Sequence, residues 1–112
     1  MKITRRQDDG VMIVDVSGQI KLGEKGTLLR NTIRDLLDEG HKNILLNLGD
    51  VTYIDSAGLG ELITAFTSVR NRGGELKLLN LTKRVNDLLQ ITKLYTVFDV
   101  KDDEAAAVGA FK

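Results

Sequence analysis

Apolar positions along this chain change their period several times, and each change marks an element. Lys2 to Gln7 and Val11 to Ser17 read as alternating runs, with Asp8-Asp9-Gly10 between them. Asp-Gly tolerates positive φ at both positions, so the pattern predicts a hairpin, with the β-branched run Val11 to Val16 as the more buried strand. Gly18 to Gly26 reads as a loop with three glycines. Leu29, Ile33, Leu36 and Leu37 then follow helical spacing, and Gly40 ends that helix. Ile44 to Leu48 is a short apolar run of the kind a buried strand uses, and Gly49 to Ile54 reads as an approach to the next helix. In that helix Leu59, Leu62, Ile63, Phe66 and Val69 form the apolar face, with Glu61, Thr64 and Ser68 between them and Gly73-Gly74 at the end. Leu76 to Leu79 predicts another strand. Thr82 predicts the cap of a short helix carrying Val85, Leu88 and Leu89. Tyr95 to Val100 predicts a last strand, and Asp102 or Asp103 the cap of a terminal helix through Ala110.

The resulting order is β-β-α-β-α-β-α-β-α. It predicts an α/β fold with right-handed crossovers: a mixed, mostly parallel sheet with an N-terminal hairpin and about four helices. No linker, repeat or low-complexity segment interrupts it, so residues 1–112 read as one domain.

Composition narrows the function classes. Sixteen Lys and Arg balance sixteen Asp and Glu, so the strong field that draws nucleic acid or an anionic membrane is absent. Aromatics are 4%, too few for a base-stacking platform. There is no cysteine, which excludes disulfides and thiolate metal sites. Met1 to Gly10 is charged and lacks an apolar core, unlike a secretory signal. No apolar run approaches the roughly 20 residues that span a bilayer. Cytoplasmic location is the expectation.

Chemistry concentrates at Asp55-Ser56-Ala57-Gly58-Leu59-Gly60. Gly58 and Gly60 fall in the first turns of a good helix, where each costs about 1 kcal/mol relative to alanine. Bare backbone there suits close approach by another molecule, and orphan N–H groups at a helix start favour anions. The plainer reading is that Asp55 or Ser56 caps the helix; capping alone does not call for the glycines. Serine hydrolysis is disfavoured: Ile54 stands where the nucleophile-elbow glycine belongs, and the single histidine, His41, falls at the other end of the preceding strand. Gly18 to Gly23 has the spacing of P-loop glycines, but Glu24 occupies the lysine position. Asp8-Asp9 reads as a solvated turn rather than an acidic pocket. Arg70, Arg72, Lys83, Arg84 and Lys93 read as a solvated face, with a partner contact as the alternative. No cofactor or metal site is expected.

The hexapeptide at Asp55 to Gly60 resembles the STAS domains of bacterial anti-sigma factor antagonists, which carry Asp-Ser-Ala/Ser-Gly-Leu/Val at the start of the second long helix. The resemblance covers nearly the whole chain: Val14 to Gly18, Ile44 to Leu48, Val51 to Asp55, Leu76 to Asn80, Val85 to Leu94 and Val97-Phe98. It implies a binding module that is not itself an enzyme. The unmodified form would bind a serine-kinase anti-sigma factor, with Asp55, Ser56, Ala57, Gly58, Leu59 and Gly60 at the contact, and release the sigma factor. The kinase would phosphorylate Ser56 and a PP2C-type phosphatase would reverse it. One departure stands out: the family's first loop reads Gly-x-Leu/Ile-Asp, whereas Gly18-Gln19-Ile20 is followed by Lys21. Two other readings remain: a STAS scaffold in a larger signalling or transport assembly, and a small nucleotide-binding or hydrolytic protein.

Overall fold

In a computed structural model, which describes residues 1–21 and 24–111 with the side chains of 24–27 excepted, five strands lie in chain order across one sheet. β1 (Lys2–Asp8) and β2 (Val11–Ile20) form an antiparallel hairpin; β3 (Asn43–Ile54), β4 (Glu75–Leu79) and β5 (Val100–Lys101) continue the sheet in parallel. Asp9 at φ 50° and Gly10 at φ 80° make the predicted two-residue turn.

Successive strand residues point to opposite faces, and this alternation separates two cores. Met12, Val14, Ile44, Leu46, Leu76 and Leu78 face α1 (Glu24–Asp38), α2 (Ser56–Asn71) and α3 (Lys83–Thr92). Val11, Ile13, Leu45 and Leu79 face the short α4 (Glu104–Gly109) through Ala107 and Val108. Leu29, Ile33, Leu36 and Leu37 are all buried, as their spacing requires, and Gly40 at φ +94° closes the helix. Among the described residues no helix is long and apolar enough to cross a membrane.

Four expectations need correction. Gly18 to Ile20 is strand, and α1 starts at Glu24, so the expected Gly18 to Gly26 loop is shorter; Leu22 and Gly23 lie outside the described residues. Gly49 to Ile54 is likewise strand, because Asp50, Val51, Tyr53 and Ile54 pair with Ser17 to Ile20. Two register shifts opposite Asp15/Ser17 and Gly18/Gln19, each with one extra residue on β3, accommodate this long pairing.

Tyr95 to Val100 is not a strand. Lys93 adopts a left-handed cap at φ 62°, Leu94–Thr96 forms a 3₁₀ turn, and only Val100 and Lys101 pair with β4. The apolar run serves instead to anchor the turn: Phe98 is buried edge-on to Phe66, 5.4 Å between centroids. On α2, Ala65 joins the core while Ile63 is exposed, and Glu61 is buried rather than solvated. Arg30 on α1 meets that carboxylate with Nε at 3.2 Å and Nη2 at 2.6 Å, which keeps the buried charge paired.

Candidate functional site

The end of β3 delivers the chain into α2 through Asp55, whose φ of −112° and ψ of −177° are extended. Its carboxylate Oδ1 accepts from the Gly58 N–H at 2.7 Å, and its carbonyl accepts from the Leu59 N–H at 2.8 Å. Asp55 is therefore the N-cap, an arrangement worth about 1 kcal/mol. Ser56 becomes the first helical residue. It is exposed, and no hydrogen bond to a described residue engages its hydroxyl. With Gly58 satisfied by the cap, the Ser56 and Ala57 N–H groups are first-turn donors without an intrahelical partner. No acidic residue lies in that first turn.

The six motif residues divide into two sets. Ser56 is exposed, while Asp55, Ala57 and Gly60 are half-buried and still present surface. Leu59 is in the core, and Gly58 is buried with its missing Cβ position only 1.9 Å from the Ile20 carbonyl oxygen. The close approach at Gly58 is thus intramolecular, made by β2, and no other molecule can take that place. Gly60 differs: nothing among the described residues lies within 4 Å of the Cβ it lacks, so toward them its bare backbone is open.

Ile20 and Ile54 are register partners, so Lys21 and Asp55, the residues that follow them, leave the sheet at the same end. The departure at Lys21 is therefore placed beside the motif. His41 precedes β3 and Ser56 follows it, at opposite ends of a 12-residue strand. The Asp8–Asp9 turn is also at the far end, next to the start of β3, where Met12 pairs with Ile44. The structure brings neither of them to Ser56.

Of the basic residues, Arg70 and Arg72 lie at the other end of α2 from Ser56. Lys83 and Arg84 open α3, and they line a groove of about 530 Å³ together with Ile54, Asp87, Leu88 and Ile91. The Arg84 guanidinium stacks 4.5 Å from the Tyr53 ring centroid. Lys83 Nζ is tied to Asp87 Oδ2 at 2.8 Å. Sequence reading did not connect Leu88 and Ile91 with the Ser56 region. The signal available was Ile91, an apolar residue outside the Val85, Leu88 and Leu89 face. A second, more polar cleft of about 840 Å³ opens along Asp50, Asn80, Thr82, Asn86 and Lys101. Among the described residues no cluster of three or more His, Cys, Asp or Glu is placed to hold a metal ion.

Comparison with known proteins agrees with this architecture. BtrV of Bordetella bronchiseptica is 30% identical over all of this chain and 96% of its own length. The anti-sigma-B factor antagonist of Bacillus subtilis is 34% identical over 85% of each chain. The crystal structure of TM1081 from Thermotoga maritima superposes with a TM-score of 0.88 at 25% identity, covering 97% of this chain and 93% of that one. The STAS domain model matches residues 2–107, and on that match, with a five-stranded mixed sheet and a capped Asp55-Ser56 helix start, the chain belongs to the STAS domain family.

Proposed function

We propose that this chain is an anti-sigma factor antagonist that works by exchanging partners. Unmodified, it binds a serine-kinase anti-sigma factor and thereby releases the sigma factor. ATP held by that kinase supplies a phosphoryl group to Ser56, and a PP2C-type phosphatase removes it. In the transfer, Ser56 Oγ forms the new bond to the γ-phosphorus as the bond to the β,γ-bridging oxygen breaks. ADP leaves, and the hydroxyl proton passes to a base on the kinase. This chain contributes the acceptor and its placement, and performs no turnover of its own.

One observation carries the reading: Ser56 is exposed at the first position of a helix that Asp55 already caps. A serine needed for capping would bind its hydroxyl to the helix. Here the hydroxyl is left over among the described residues, at a helix start that Asp55 holds. Family membership and relatives such as the Bacillus subtilis anti-sigma-B factor antagonist support the same class of partner. The reading is tested by incubating the protein with its cognate serine-kinase anti-sigma factor and ATP, then mapping phosphate by mass spectrometry. Modification at Ser56, lost in Ser56→Ala, is expected. Modification elsewhere with Ser56 untouched contradicts it.

A further inference from the structure

The outer face of α3 carries apolar surface beyond what the core takes up: Leu88 packs against the core with only part of its side chain, and Ile91 stays outside it. Val85 and Leu89 point into the core, whereas Ile91 is 79% exposed and Leu88 only half-buried. Arg84, Leu88 and Ile91 stand at i, i+4 and i+7, so they share one side of the helix. That side overlooks Ile54, the last residue of β3, from which the chain passes directly through Asp55 to Ser56. One wall of the groove is thus two residues from the phosphoacceptor in the chain.

Its charges are specific. Lys83 is paired with Asp87, but among the described residues no carboxylate meets Arg84, whose guanidinium is held against Tyr53. A stacked guanidinium is oriented in advance and keeps its N–H donors for a planar acceptor. We propose that this groove is the second half of the partner interface: it takes an aliphatic side chain of the serine-kinase partner between Ile54, Leu88 and Ile91, while Arg84 takes a carboxylate flanking that side chain. The proposal rests on the function proposed above. A second copy of the chain is a poorer occupant. Two-fold packing through this patch would oppose Lys83 and Arg84 to their own symmetry mates, and the one carboxylate among its described lining residues, Asp87, is already engaged.

The test is calorimetric titration of the wild type, Ile91→Ser and Arg84→Glu against the purified cognate serine-kinase anti-sigma factor loaded with ADP. Each protein is also sedimented alone. Both substitutions are on exposed side chains, and far-UV spectra are recorded to check that the variants fold. Each is expected to weaken binding about tenfold or more, as for central contacts of an interface. A partner Asp or Glu changed to Arg is expected to restore the Arg84→Glu variant selectively. Unchanged affinity of both variants, with wild-type binding still lost on Ser56 phosphorylation, overturns the groove and leaves the switch standing. Absence of wild-type binding overturns the function, and the groove assignment falls with it. Self-association of the wild type that Ile91→Ser abolishes, without effect on kinase affinity, assigns the groove to a second copy instead.

Discussion

The Ile20 carbonyl oxygen occupies the space that a side chain on Gly58 would need, 1.9 Å from the absent Cβ. A backbone carbonyl at the end of a paired strand has nowhere to retreat. Gly58→Ala is therefore expected to destabilise the domain by about 1–3 kcal/mol, the range for overpacking, despite alanine's better helix propensity. Urea unfolding measures it as a lower midpoint at unchanged slope. A raised midpoint contradicts the contact.

Gly60 is the control. It is helical with no described residue within 4 Å of the missing Cβ, so Gly60→Ala is expected to stabilise the domain by about 0.5–1 kcal/mol through helix propensity alone. If Gly60 is kept bare for the partner, the same variant binds the kinase more weakly. More stable and equally well bound is the result that removes Gly60 from the interface.

Glu61 is 6% exposed, and its partner Arg30 reaches it from α1 while remaining half in solvent. Arg30→Met leaves a buried carboxylate without this partner, and an expected loss of about 1–2 kcal/mol, less than for a pair buried on both sides. Glu61→Leu in that background is expected to recover most of it. A double-mutant cycle by chemical unfolding reads the coupling; additive losses contradict it.

Acid sensitivity should arise on the opposite face of the sheet. Arg6 reaches Asp15 through Nε at 2.7 Å and Glu104 through Nη1 at 2.9 Å, linking the hairpin to α4. The Arg6 guanidinium holds both carboxyls below their ordinary values, with Asn47 also donating to Asp15; burial opposes it. Because these folded-state values are depressed, the stabilisation is full above the unfolded values and disappears as pH falls through the folded ones. Unfolding free energy should drop below about pH 4, by about 1 kcal/mol or less given the solvent exposure of the groups. Arg6→Met should flatten that drop. A slope unchanged by Arg6→Met is the contrary outcome.

What the sequence made legible was local. Asp9-Gly10 carries its own turn conformation, Leu29 to Leu37 its own helical face, and Thr82 its own cap. What it concealed depends on distant residues. The strand character of Gly18 to Ile20 and of Asp50 to Ile54 exists only because each segment pairs with the other. Gly58's constraint comes from Ile20, and Glu61's burial is tolerated because Arg30, 31 positions earlier, reaches it. Tyr95 to Phe98 misled for a different reason: an apolar run reports burial, and Phe98 reaches the core from a turn as well as a strand would. The hexapeptide itself was readable as a site, but not its division into Asp55, Ser56, Ala57 and Gly60 presenting surface and Gly58 and Leu59 within.

The central claim is that phosphate on Ser56 dismisses the partner without unfolding the domain. A helix N-terminus tolerates the added charge of about −1.5 to −2, whereas a closely docked partner must desolvate it. The direct measurement is the affinity of unmodified and enzymatically phosphorylated protein for the cognate serine-kinase anti-sigma factor, with far-UV spectra of both. The account predicts native-like spectra and an affinity loss of roughly thirty-fold to a few thousand-fold, the equivalent of about 2–5 kcal/mol. Equal affinity of the two forms, or loss of affinity accompanied by a melted spectrum, contradicts it.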